Sequence, residues 1–143
     1  QRQMCIRDSY EAVRKAATDF PSLNVTAAWW DNSWHVTVGA RPLRAALLQG
    51  EACGLTAEQP PEDELRALAA SVRALSYGTN MWGSADYRRR ISAPLAIQAV
   101  RRAAGIELSA ALARELETVQ VPKFATDEYS CRRVPGVDSS EVH

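Results

Sequence analysis

One segment constrains the fold of this chain more than any other: residues 23–40 alternate apolar and polar side chains on both sides of a short polar turn. Residues 23–30 and 34–40 each show the two-residue period of a half-buried β-strand. Between them, Asp-Asn-Ser at positions 31–33 is turn chemistry, because short polar side chains bond to their own backbone and tolerate left-handed geometry. The pattern predicts an antiparallel hairpin with one apolar face, formed by Leu23, Val25, Ala27, Trp29, Trp34, Val36 and Val38.

Helical patterns dominate the chain after this hairpin. Pro61 and the acidic residues behind it predict the start of a helix that Gly78 ends. Ser84 is a good N-cap for a second helix over residues 85–104, in which Pro94 predicts a kink or an early break. A third helix is expected over about residues 109–118. Before the hairpin, residues 10–17 favour a helical turn or two, and residues 43–49 fit either a strand end or a helix.

This order of elements, strands first and helices after, predicts an α+β fold. We expect a small antiparallel sheet of about three strands, followed by about three helices packed on one face. A length of 143 residues fits one domain. We place that domain at residues 10–120. Residues 1–9 begin Gln-Arg-Gln and are interpreted as a non-native leader outside the fold, and the polar residues 121–143 are expected to be disordered.

The charge and hydropathy of the chain disfavour two classes of partner, nucleic acids and membranes. The chain carries 17 basic and 17 acidic residues, so no bulk field favours nucleic acid or anionic lipid. No apolar run approaches the roughly 20 residues of a membrane span. The three cysteines lie far apart in sequence, which favours a reducing compartment over a disulfide framework. We therefore expect a cytoplasmic protein that binds neither nucleic acid nor membrane.

The residues that usually carry catalysis are sparse. His35 lies on a predicted strand and His143 lies at the chain end, so we expect no metal site. Cys53 has no evident base beside it and is interpreted as a small buried thiol. No glycine-rich phosphate loop is present. We expect no catalytic residue in this chain.

Three consecutive arginines, Arg88 to Arg90, open the second predicted helix. Because helical residues advance about 100° each, three neighbours cannot share one face. Arg88 is therefore predicted to turn inward as a structural arginine, whereas Arg89 and Arg90 are expected on the solvated face.

The most specific segment is TNMWGSADYRRR at residues 79–90. It resembles the Gly-Ser-Ala-(Glu/Asp)-Tyr-Arg-Arg segment in the C-terminal domain of the FAD-binding medium subunits of molybdenum hydroxylases, the carbon monoxide dehydrogenase and xanthine dehydrogenase family. RPLRA at residues 41–45 and KAATDF at residues 15–20 resemble further segments of this family, in the same order. The resemblance covers about residues 10–104. Met81, Trp82, Arg90 and Pro94 depart from the family pattern.

The resemblance implies a fragment of a flavin-dependent oxidoreductase. It implies that FAD is held mostly by N-terminal domains outside this chain, and that the isolated fragment is inactive. The implied partners are those FAD-binding domains, a molybdenum-cofactor large subunit and an iron–sulfur small subunit. The implied role is support of electron transfer from iron–sulfur clusters through FAD to an acceptor such as NAD.

The same resemblance implies which side chains approach the flavin. It places Lys15, with Arg14 beside it, near the isoalloxazine ring, where a cation stabilises the reduced ring, and Asp19 could orient Lys15. An ordinary exposed lysine at a helix end is the alternative for Lys15. The alternative for the whole chain is a stand-alone α+β interaction module without catalytic activity, in which the tryptophans of the 23–40 hairpin and a helix pair form a partner groove.

Overall fold

The structure, a computed structural model, describes residues 7–117 as one antiparallel sheet covered by helices. The sheet has four strands in chain order: β1 (Arg7–Val13), β2 (Leu23–Trp30), β3 (Ser33–Gly39) and β4 (Ala46–Gln49). After a 3-10 turn at Gly50–Ala52, the helices are α1 (Glu62–Arg73), α2 (Ala85–Ala104) and α3 (Ala110–Glu117). The predicted α+β class is confirmed, with one strand more than expected.

The β2–β3 hairpin forms as its sequence pattern predicts. Asp31 and Asn32 have φ of 52° and 54°, the positive values that a two-residue hairpin turn requires. The register pairs Val25 with Val38 and Trp29 with Trp34, so the apolar side chains of both strands share one face. Within that face Trp34 is fully buried, and its ring lies 5.5 Å from the ring of Trp29.

The predicted helix at residues 10–17 is wrong, because these residues begin inside β1. Local helix propensity is weak, and here it is overridden by pairing with β2, in which Val13 lies opposite Leu23. The side chains that point to the helices find polar partners there. Ser9 Oγ donates to the Ala99 carbonyl at 2.5 Å, and the buried Glu11 forms an ion pair with Arg102 at 2.6 Å.

The strand also corrects the boundary at the N-terminus. Arg7, Asp8 and Ser9 pair with residues 27–29 of β2, so the fold includes three residues that the sequence analysis left out. The sequence leaves two alternatives for residues 43–49, a strand end or a helix. Residues 46–49 form a strand, so the first alternative is correct. Residues 1–6 and 118–143, which include most of the leader and all of the predicted disordered tail, lie outside the described residues.

The helix α2 packs on β1 and β2, and α1 packs on α2. The two ends of α2 lie where the sequence predicts them. At the start, Ser84 Oγ accepts a hydrogen bond from the Tyr87 amide at 3.1 Å, and at the end Gly105 closes the helix with φ of 68°. Pro94 does not break it, since the helix is continuous to Ala104. The helix α1 ends at Arg73, five residues before the predicted stop at Gly78.

The packing of α1 in the core can be tested by substitution of a leucine on its buried side. Leu68 is fully buried in the hydrophobic core, on the helix that packs on α2, so Leu68→Ala should lower the free energy of unfolding by about 2–5 kcal/mol through lost burial and a residual cavity. Leu47→Ala, on the exposed side of β4, is the control and should change it by less than about 0.5 kcal/mol. Urea unfolding followed by circular dichroism measures both. Equal effects of the two substitutions would contradict the buried position of α1.

Candidate functional site

The guanidinium of Arg88 lies inside the protein and joins segments that are distant in sequence. The side chain is fully buried, in agreement with its predicted inward orientation. Its Nε donates to the Ser22 carbonyl at 2.7 Å and the Ala40 carbonyl at 3.2 Å, Nη1 donates to the carbonyls of Gly78 at 2.9 Å and of Gly83, and Nη2 donates to Asn80 Oδ1 at 2.5 Å.

All five acceptors are uncharged oxygens, so dipoles rather than a carboxylate stabilise this buried cation. Desolvation lowers the pKa of Arg88, and the planar fork of five N–H donors compensates by reaching acceptors in several directions at once. Arg89 and Arg90 are exposed as predicted, and Arg89 lies 3.5 Å from Asp86 in an exposed ion pair.

The loop before α2 is held closed by its own hydrogen bonds and by Arg88. Asn80 and Gly83 exchange two backbone hydrogen bonds of 3.1 and 3.2 Å, which makes Met81 and Trp82 the tip of a tight turn. The Trp82 amide donates to Asn80 Oδ1 at 3.0 Å, and Ser22 Oγ donates to the Trp82 carbonyl at 2.8 Å. The turn is therefore fixed to the start of β2 as well as to α2.

A cleft of about 450 Å³ opens between this turn and the end of β1. We call it the Lys15 cleft. Its lining is mostly apolar and contains two cations, and none of the residues that line it is acidic. The lining residues are Val13, Arg14, Lys15, Ser22, Thr79, Asn80, Met81, Trp82, Gly83, Ser84 and Tyr87.

Two of the three residues assigned to the flavin by resemblance line this cleft. Lys15 is exposed there. Arg14 is half-buried, and its Nη1 and Nη2 donate to the Asp19 carbonyl at 3.3 Å and the Tyr10 hydroxyl at 3.5 Å. Asp19 does not line the cleft, and its backbone carbonyl accepts the hydrogen bond from Arg14.

Sequence reasoning missed the opposite wall of the cleft. The sequence predicts a structural role for Arg88, and it shows Met81 and Trp82 only as departures from a family pattern. The signal in the sequence is a pair of large apolar residues, Met81 and Trp82, in an otherwise polar loop, separated by one glycine from the helix N-cap Ser84. Large apolar side chains at the tip of a turn cannot reach the hydrophobic core, so they stay at the surface, where they can line a binding site.

Other candidate groups serve the structure. Cys53 is buried and its Sγ donates to the Gly50 carbonyl at 3.1 Å; burial raises the pKa of its thiol, which disfavours the nucleophilic thiolate. His35 lies 3.0 Å from Ser33 Oγ and stacks near Trp30. Residues 7–117 contain no cluster of three His, Cys, Asp or Glu side chains suited to a metal ion. Within the same residues, no helix is long and apolar enough to cross a membrane.

The hairpin tryptophans do not share one surface. Trp34 and Trp29 pack toward the core, whereas Trp30 points to the opposite face of the sheet and is exposed. The three tryptophans of the hairpin therefore cannot line one groove together.

Comparisons with known proteins found no matching family model, no matching curated protein and no matching solved structure. The chemistry of the Lys15 cleft consequently rests on the residues that line it.

Substitution of Arg88 tests its bridging role. Arg88→Lys keeps the charge, but one ammonium with three donors cannot reach five oxygens, so we expect a loss of roughly 3 kcal/mol or more in the free energy of unfolding. Arg90→Lys, at an exposed position on the same helix, is the control and should lie within about 0.5 kcal/mol of the unsubstituted protein. Urea unfolding measures both, and a fully stable Arg88→Lys variant would refute the bridging role.

Proposed function

We propose that this chain is the C-terminal domain of the FAD-binding medium subunit of a molybdenum hydroxylase, and that the Lys15 cleft faces the flavin held by domains outside this chain. The observation that carries the proposal is a juxtaposition. Two segments that resemble the family meet at one cleft: residues 15–20 supply Lys15 to one wall, and residues 79–90 supply most of the opposite wall. Ser22 and Trp82, 60 residues apart in sequence, hold these walls together.

The cleft suits one edge of an isoalloxazine ring. Val13, Trp82 and Tyr87 supply apolar surface for a flat aromatic group, and burial raises the pKa of the Tyr87 hydroxyl, which keeps it neutral. Lys15 and Arg14 supply positive charge without an acidic neighbour in the lining. A reduced flavin carries negative charge at its N1–C2=O edge, so the sign of the charge is complementary.

The residues of this chain would then act by electrostatics and by exclusion of water. Lys15, exposed at the cleft, would stabilise the reduced ring, and Arg14 would add positive potential from a position held by Tyr10 and Asp19. The chemistry that a bound flavin would supply is electron transfer from iron–sulfur clusters of the small subunit to an acceptor such as NAD. Substrate oxidation would occur on the molybdenum-cofactor subunit, in a cytoplasmic complex, and the chain alone would be inactive.

The redox potential of the flavin tests the role of Lys15. The chain is co-expressed with the FAD-binding domains of a medium subunit, and the yellow complex is titrated spectroelectrochemically. Loss of the cation in Lys15→Met should make the two-electron potential more negative by roughly 20–30 mV, equivalent to about 1 kcal/mol. Lys15→Arg should restore it, and Arg90→Met, which removes a cation outside the cleft, should leave it unchanged.

Two results would contradict the proposal at different levels. An unchanged potential in Lys15→Met would remove Lys15 from the flavin environment while leaving the domain assignment. Failure of the folded chain to form any flavin complex would contradict the domain assignment itself.

A further inference from the structure

Trp82 separates the Lys15 cleft from a second groove, of about 490 Å³, which the proposed function does not use. We call it the Trp82 groove. It lies between the β1–β2 connection, the segment after β3 and the turn before α2. Its lining residues are Phe20, Pro21, Ala40, Arg41, Pro42, Leu43, Asn80 and Trp82.

Two exposed large apolar side chains line this groove. Phe20 is 75% exposed and Leu43 is 52% exposed, and Met81, which is 81% exposed, lines the neighbouring Lys15 cleft. Among the described residues the only other large apolar side chains this exposed are Trp30 and Leu47, both on the sheet. A cluster of exposed apolar side chains beside a groove is typical of a protein interaction site.

The groove is preorganised around Trp82. The indole packs edge-on against Phe20 with ring centroids 6.2 Å apart. The backbone of Trp82 is held at its amide by Asn80 and at its carbonyl by Ser22, and Asn80 is in turn held by Arg88. A partner would therefore lose little free energy in ordering this aromatic anchor, and tryptophan is favoured at binding hot spots.

The lining of the groove carries only positive charge although the whole chain has net charge +0. Arg41 lines the groove, and none of the lining residues is acidic. The Arg41 Nε and Nη1 donate to the carbonyls of Arg44 at 2.9 Å and Ser76 at 2.5 Å, and neither bond uses Nη2. A fixed guanidinium with a spare donor suits a carboxylate.

These features favour an acidic protein segment over other occupants. A second copy of this chain, related by a two-fold axis, would bring the same arginines toward each other. A membrane surface would need apolar side chains that project from a convex surface, whereas Trp82 lines a concavity.

We propose that the Trp82 groove docks a segment of a partner protein that presents an aliphatic or aromatic side chain next to a carboxylate. The apolar side chain would contact Trp82, Phe20 and Leu43, and the carboxylate would accept from Arg41. This site does not depend on the assignment of the Lys15 cleft to a flavin.

The test uses a random heptapeptide phage library selected on the immobilised chain, with affinities of the selected peptides measured by fluorescence anisotropy. We expect selected peptides to share an apolar residue flanked by Asp or Glu. Leu43→Asp places a carboxylate in the groove and should weaken binding about tenfold or more, since like charges would meet in a desolvated site. Leu47→Asp is the matched control, because Leu47 is 54% exposed but lies outside the groove, and it should change affinity less than about twofold.

A second pair of variants tests the aromatic anchor, and two further measurements test a second copy of the chain and a membrane surface as alternative occupants. Trp82→Ser should also weaken binding about tenfold, with Trp30→Ser as its control, and circular dichroism checks that each variant is folded. The proposal is overturned if no peptide is enriched, if the selected peptides lack carboxylates, or if Leu43→Asp and Leu47→Asp bind equally. It is also overturned if Leu43→Asp instead abolishes a concentration-dependent dimer in sedimentation velocity, or binding to phosphatidylserine vesicles.

Discussion

The burial of the Arg88 guanidinium is the interaction on which both surface features of this protein depend. A buried cation is costly unless its donors are satisfied, and here five oxygens from the β1–β2 connection, the end of β3 and the loop before α2 satisfy them. The cost runs in both directions, since the carbonyls of Ser22, Ala40 and Gly78 would lose this donor if the guanidinium were removed. Arg88 thus joins the sheet to the loop that separates the Lys15 cleft from the Trp82 groove.

This arrangement explains why an exposed loop can present large apolar side chains in one geometry. Met81 and Trp82 lie at the tip of a turn whose two ends, Asn80 and Gly83, both accept hydrogen bonds from Arg88. Besides the two backbone hydrogen bonds between Asn80 and Gly83, the guanidinium and the Ser22 hydroxyl hold the turn in place. Both concavities carry only positive charge in their linings, with Lys15 and Arg14 on one side of Trp82 and Arg41 on the other.

The parts of the fold that the sequence predicts are those decided by local chemistry. The Asp31–Asn32 turn, the Ser84 cap and the end of α2 at residue 104 each depend on residues within one turn of the chain, and each is confirmed. The inward position of Arg88 follows from the angular spacing of three neighbouring arginines. The sequence does not predict strand β1, because the local propensity of residues 10–17 slightly favours a helix. The first of these residues lie in a strand only because they pair with β2, which local propensity does not register. The Lys15 cleft was half predicted: Lys15 and Arg14 were named, but the wall at residues 79–87 meets them only through the tertiary fold.

Hydrogen exchange of the Arg88 side-chain Nε–H, followed by ¹⁵N NMR at neutral pH, tests the buried guanidinium most directly. This proton donates to the carbonyls of Ser22 and Ala40, so it should exchange at least about 100-fold more slowly than the Nε–H of the exposed Arg90. Equal exchange rates for the two arginines would contradict a guanidinium that holds the turn, the cleft and the groove in place.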